Sequence, residues 1–221
     1  FGDIKDKSGF GSDYDVDSFM AMIYGRMHPF RESKFTLDGY GAYGRSKFKG
    51  NSYIMGTAAN GNENADSFSG GLYATWTEHF ALGKAFVTPY TGIEFMTTEL
   101  KGFSESGPYG RSFDHARAQN WTIPLGVTIA RAYQTDGGTI TPALTVAAAQ
   151  DVSRMNPKSN VSGPLGAWNV RGVNVGRTAF RLNAGIDVLF SSNWGARVCY
   201  QFETRNKLTS HGINGAISYT F

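Results

Sequence analysis

The sequence predicts an all-β chain: an antiparallel up-and-down transmembrane β-barrel with about nine or ten strands present. Three observations carry that prediction. From His211 to Phe221 the residues alternate, with Ile213, Gly215, Ile217, Tyr219 and Phe221 on one face and Asn214, Ala216, Ser218 and Thr220 on the other. That is the period-2 signature of a strand lying between an apolar and a polar environment. Short and long connections alternate along the chain, as they do when a meander places each kind on its own side of a membrane. The mid-strand ionic residues Arg181, Asp187, Arg197 and Glu203 all sit on the polar faces, and the opposite faces of the last three strands carry no charge.

The bulk properties fit. The chain has 221 residues, enough for one closed barrel, and its net charge of +3 is too small to argue for a nucleic-acid partner. Hydrophobic residues make up 41% and charged residues 18%, with a mean hydropathy of −0.30. No apolar run is long enough for a transmembrane helix, but a barrel hides its lipid face in alternation and reads as only mildly hydrophobic. Aromatics at 14% and 28 glycines suit strands and tight turns. The lone Cys199 excludes an intrachain disulfide. The chain opens on Phe1 with no signal peptide, so the expectation is a processed protein or a fragment.

Taken in order, residues 1–16 are acidic and Gly/Ser-rich and read as a loop with the stump of a preceding strand; residues 17–221 read as the barrel domain. The first strand, about 17–27, sets Phe19, Ala21 and Ile23 on one face. The second, about 34–48, mixes Gly39, Gly41 and Gly44 with Tyr40 and Tyr43, and a long polar connection runs from 49 to 65. The third, about 66–78, aligns Phe68, Gly70, Leu72, Ala74 and Trp76. The fourth, about 84–100, carries an interior Pro89, which donates no ladder bond; a long loop follows at 101–115. The fifth, about 116–133, opposes Trp121, Ile123, Leu125, Val127 and Ile129 to Thr122, Pro124, Gly126 and Thr128. A hairpin turn at 134–138 leads to the sixth, about 139–150, and a third long loop at 151–176 leaves room for a short extra strand. The seventh, 177–190, alternates Phe180, Leu182, Ala184, Ile186, Val188 and Phe190 with Arg181, Asn183, Gly185, Asp187 and Leu189. The eighth, 194–203, sets Trp194, Ala196, Val198, Tyr200 and Phe202 against Gly195, Arg197, Cys199, Gln201 and Glu203. A modest loop at 204–210 precedes the last strand.

A membrane setting explains this arrangement better than a soluble sandwich. An arginine on the lipid side at midplane costs roughly 2–4 kcal/mol, so the charged faces belong to the lumen. Arg181, Asn183, Asp187, Arg197, Gln201 and Glu203 are therefore the candidate lumen-facing residues, with small or neutral Gly185, Gly195, Thr139, Thr141 and Thr145 beside them. Phe190, Trp194, Tyr219 and Phe221 gather near the short-turn side as an interfacial girdle.

The segment Val170-Arg171-Gly172-Val173-Asn174-Val175-Gly176-Arg177 through Val188, and Ser192-Asn193-Trp194 with its aromatic strand, resemble the late strands of autotransporter β-domains. Gly70-Gly71-Leu72-Tyr73-Ala74-Thr75 and Thr88-Pro89-Tyr90-Thr91-Gly92 resemble earlier strands of that family. The terminal Phe221, with Tyr219 and Ile217 before it, is similar to the signal read by the outer-membrane assembly machinery. The resemblance implies a 12-stranded barrel in a Gram-negative outer membrane, a pore helix, and a passenger exported or anchored by the barrel. With nine strands counted and no helix found, it implies an N-terminal truncation. The partners implied are the lipid bilayer, the assembly machinery and the chain's own passenger. No cofactor, metal or reaction is expected: His28, His79, His115 and His211 have no Cys or His at ligand spacing, and Ser210-His211 adjacency is not a triad. The alternatives are a stand-alone porin or a loop-mediated adhesin barrel, an outer-membrane enzyme, and a soluble β-sandwich.

Overall fold

The computed structural model describes residues 2–5, 13–29, 35–54, 56–76, 80–82, 84–190 and 193–219. Over these residues the chain forms strands and no helix. The strands are β1 Gly2–Lys5, β2 Asp13–Met27, β3 Phe35–Ile54, β4 Thr57–Trp76, β5 Phe80–Leu82, β6 Ala85–Leu100, β7 Phe103–Ser104, β8 Ser112–Phe113, β9 Ala116–Ala130, β10 Tyr133–Thr135, β11 Gly138–Met155, β12 Lys158–Gly163, β13 Gly166–Arg171, β14 Thr178–Phe190, β15 Trp194–Arg205 and β16 Leu208–Tyr219. The main sheet runs β1-β2-β3-β4-β6-β9-β11-β14-β15-β16, in chain order and antiparallel throughout. The short β5 and β10 extend it at β6 and β11. A second sheet, β13-β12-β8-β7, is built from the connections after β6 and after β11. Among the described residues β1 and β16 are free edges, so the main sheet is a half-barrel.

The burial pattern is that of a membrane wall. Among the described residues the buried apolar ones are Ala42, Ala59, Ala65, Ala147, Ala149, Ala179, Pro124 and Val161, none larger than valine. Ile23, Ile213 and Ile217 are each 78% exposed. Water would not tolerate so many large side chains outside and so little inside, whereas hydrocarbon does. The strands from β4 to β16 that form the wall repeat the alternation, whereas β2 carries large apolar residues on both faces, Met20, Met22 and Tyr24 on one and Phe19 and Ile23 on the other. Phe180, Ile186, Val198, Ile213, Leu125 and Leu72 lie on the convex face, and the residues between them lie on the other.

Aromatics border this apolar band at both ends. At the short-turn end Phe35 packs on Trp76 (ring centroids 4.3 Å) and Trp194 on Tyr219 (5.0 Å). At the other end Phe68, Phe95 and Trp121 form a row, with Phe95 and Trp121 4.7 Å apart. The ten residue steps from Phe180 to Phe190 on β14 rise about 3.4 Å each; with a tilt of about 40° the two borders stand roughly 25 Å apart, the height of a barrel's lipid band.

All three expected long loops hold strands, the connection at 101–115 carrying β7 and β8. Residues 49–65 are not a loop: β3 and β4 run on as one long hairpin, paired in register from Phe35↔Trp76 to Ile54↔Thr57. A strand needs only about 9–11 residues to span the bilayer, so the outer halves of β3 and β4 project beyond it. There both faces are polar and the alternation that marks a strand is absent, although the backbone ladder continues. The connection from β11 to β14 holds the β12–β13 hairpin, a full pair where room for one short strand was expected. The connection before β16 shrinks to Asn206 and Lys207, with Lys207 at φ 64°.

Candidate functional site: the concave face

The polar face of the sheet is curled on itself. Glu94 on β6 and Arg181 on β14 are separated by β9 and β11. On a flat sheet three strand spacings are about 14 Å. Instead Arg181 Nη1 donates to both Glu94 carboxylate oxygens, at 2.8 and 2.9 Å. The sheet bends around these side chains, and their face is the concave one.

The sequence permits that reach because the residues beneath are small. Arg181 stands opposite Ala147, which stands opposite Gly126, which stands opposite Tyr90. A Cβ at Gly126 would fall 2.6 Å from Tyr90 Cε1, and one at Gly71 would fall 2.5 Å from Tyr40 Cε1. Tyrosine rings thus lie flat over glycines of the next strand, covering backbone that has no side chain of its own.

From Arg181 an alternating chain of charges runs along the concave face. Its Nε donates to Glu203 Oε2 at 2.8 Å. Arg205 bridges Glu203 Oε1 at 2.6 Å and Asp151 Oδ2 at 2.8 Å. Asp151 is fully buried, at a bulge between it and Ser153. It also accepts from Thr122 Oγ1 at 2.7 Å and pairs with Arg154. Tyr73 OH donates to Glu94 Oε1 at 2.9 Å. Glu94, Glu203 and Asp151 are matched by Arg181, Arg205 and Arg154, so the line is neutral. No buried side-chain nitrogen or oxygen among the described residues lacks a partner. The charges saturate one another and leave none free as a base or nucleophile. Among the described residues no cluster of His, Cys, Asp and Glu could hold a metal ion.

The six polar residues expected in the lumen come together as three cross-strand pairs of β14 and β15: Arg181↔Glu203, Asn183↔Gln201 and Asp187↔Arg197. The last pair, 3.3 Å apart with Asp187 46% and Arg197 60% exposed, lies in open space near the short-turn end. Glu94, Asp151, Arg154, Arg205, Tyr73 and Tyr90 were missed. Glu94 was legible as a mid-strand charge opposite Ile93 and Phe95. Asp151, Arg154 and Arg205 were not, because they fall in stretches read as loop. Tyr219 and Ile217 face outward on β16, Tyr219 opposite Trp194; Phe221 lies outside the described residues.

A curled antiparallel sheet, apolar outside between two aromatic borders and ionic inside, is the wall of an integral membrane β-barrel. The sequence model described as "Autotransporter beta-domain" matches residues 2–201, and the chain belongs to that family. It is similar to "Probable outer membrane protein pmp11" of Chlamydia pneumoniae, 30% identical over 136 residues, covering 60% of this chain and 14% of that protein. It is also similar to "Probable outer membrane protein pmp21" of the same organism, 26% identical over 137 residues, 61% of this chain and 8% of that protein. The chain thus spans a small part of the length of these relatives. In three dimensions it is similar to the translocator domain of autotransporter NalP from Neisseria meningitidis, with a TM-score of 0.70, 17% identity, and coverage of 96% of this chain and 69% of that one. The domain is thus an autotransporter β-domain with the fold of a membrane β-barrel, its apolar face turned outward.

Proposed function

We propose that the concave face lines the lumen through which the chain's own passenger crosses the outer membrane. The mutual saturation of the charges on that face carries the reading. A lumen that must let an extended polypeptide slide needs polar walls that offer neither a sticky apolar surface nor a free charge of one sign. The line from Glu94 to Arg154 is built so, and the threonines of β11 continue it. Arg181, Asn183, Asp187, Arg197, Gln201 and Glu203 are assigned to this lining, and the reading gives the domain no chemical reaction. Residues 17–221 are assigned to the barrel, and 1–16 to a loop and the stump of a preceding strand. The pairing of Gly2–Lys5 with Asp13–Val16 supports the stump of a preceding strand, although β2 already begins at Asp13, four residues before the expected start of the barrel. Ile217, Tyr219 and Phe221 are assigned as the signal for the outer-membrane assembly machinery.

The test is a photo-crosslinking amino acid placed in the full-length protein during export. At Gln201 it should capture the passenger. At Val198, on the opposite face of the same strand, it should capture lipid or assembly proteins only. Passenger adducts from Val198, or none from Gln201 while export proceeds, would overturn the lumen assignment. Removing Phe221 should sharply lower the amount of folded barrel in the outer membrane; unchanged assembly would remove the signal from the reading.

A further inference from the structure

At the end away from the short turns, the projecting halves of β3 and β4 meet the second sheet. Ser106 N donates to Asn60 O at 2.8 Å, and a cavity of about 250 Å³ lies between them. Its apolar walls are Phe48, Leu100 and the stacked rings of Phe103 and Phe113, 4.6 Å apart and 3° from parallel. Glu63 and Glu105 also line it.

The two carboxylates differ. Glu105 is committed: Arg111 donates to it through Nε and Nη2, both at 2.7 Å, and the same guanidinium lies 5.3 Å above the Phe113 ring. Glu63 has no side-chain hydrogen bond or ion pair with any described residue. Burial alone pushes its carboxyl up from the usual range. A third carboxylate at the cavity, Asp114, accepts only from the neutral Asn160 amide at 3.0 Å. With Arg111 as the one cation among these groups, the cavity is left with excess negative charge, half-buried on Glu63.

We infer that this cavity binds a small organic monocation, an alkylammonium or alkylguanidinium group, with its charge on Glu63 and its carbons against Phe48, Phe103 and Phe113. A half-buried carboxylate without a partner calls for a cation, and aromatic ring faces favour an organic one. A divalent metal is not the match, since it needs several converging oxygens and the described residues supply no such cluster. The fold already seats one guanidinium in this manner, Arg111 between Glu105 and Phe113. The proposal goes beyond transport and does not depend on passenger export. Its chemistry is shared by free alkylamines and by the lysine or arginine side chains of a polypeptide.

The test uses full-length protein folded in detergent micelles and a ligand-observed saturation-transfer NMR titration. The probe is n-butylguanidine, with n-pentanol as the neutral control. The guanidine should bind saturably and n-pentanol about ten-fold more weakly or not at all. Glu63→Gln should weaken the guanidine about five-fold or more while the barrel keeps its heat-modifiable band, because the change removes a charge that has no partner. Phe103→Leu keeps an apolar wall but removes a ring face, and should weaken the guanidine several-fold without affecting n-pentanol. Equal binding of n-pentanol, or unchanged affinity in Glu63→Gln, overturns the proposal. Binding of a capped Gly-Arg-Gly peptide with the same dependence on Glu63 assigns the site to a polypeptide side chain. Binding of the free guanidine alone assigns it to a small amine.

Discussion

Ile186 and Asp187 are adjacent in sequence and lie in different solvents. Ile186 faces out and is 50% exposed, while Asp187 pairs with Arg197 across β14 and β15. Ile186→Arg should therefore lose roughly 2–4 kcal/mol to hydrocarbon and fail to give an SDS-resistant barrel. Asp187→Arg should assemble, since its like-charge contact with Arg197 is hydrated. Equal behaviour of the two on unheated gels would mean that the register of β14 is wrong. Arg181 belongs to a tighter environment, with side-chain exposure of 22% against 16% for Glu94. Arg181→Met leaves Glu94 and Glu203 short of a cation and should cost about 1–3 kcal/mol. Adding Glu94→Gln should recover part of that loss. Urea unfolding of both single variants and the double variant measures this coupling, and strict additivity would remove the Arg181–Glu94 bridge as a stabilising contact. Gly126→Val forces Tyr90 off its seat and should cost about 1–3 kcal/mol by overpacking, read in the same unfolding experiment.

At the scale of elements, the wall and the second sheet obey different rules. Alternation exposed the wall because lipid and lumen impose opposite demands on its two faces. It could not expose the outer halves of β3 and β4, where water lies beyond the bilayer on both sides and Asn60-Gly61-Asn62-Glu63-Asn64 reads as a turn-rich tract. Those strands exist because the ladder begun in the membrane carries on, from Ser46↔Ala65 to Ile54↔Thr57. The second sheet pairs with this extension only at the isolated bridge Asn60↔Ser106 and packs on it through Phe103, whose ring lies over Gly61; its other backbone pairing is internal. Replacing Lys158–Arg171 by a short Gly/Ser link should therefore leave the barrel's heat-modifiable migration intact. Loss of that migration would mean that β12 and β13 hold the wall together.

At the scale of the whole molecule, the described sheet has two edges, β1 and β16, and hydrocarbon offers no hydrogen bonds to an open edge. Residues 1–221 produced alone should accordingly aggregate or remain heat-insensitive on gels, whereas a longer chain that supplies further strands should give the compact SDS-resistant form. A compact band from residues 1–221 alone would show that β1 and β16 can find each other.

The sequence by itself determined the class of the fold, the alternating faces of β14 to β16, and that the six polar residues of β14 and β15 share one face. Each of these follows from a local rule: period-2 chemistry set by two solvents, read a few residues at a time. Tertiary structure alone decided that Glu94 would meet Arg181 and that Arg205 would join Glu203 to Asp151. It also decided that the polar tract after residue 48 would stand as a hairpin against a second sheet. Those outcomes depend on how tightly the sheet curls, and curl is set by the sum of small residues and rings across many strands, which no single stretch of sequence contains.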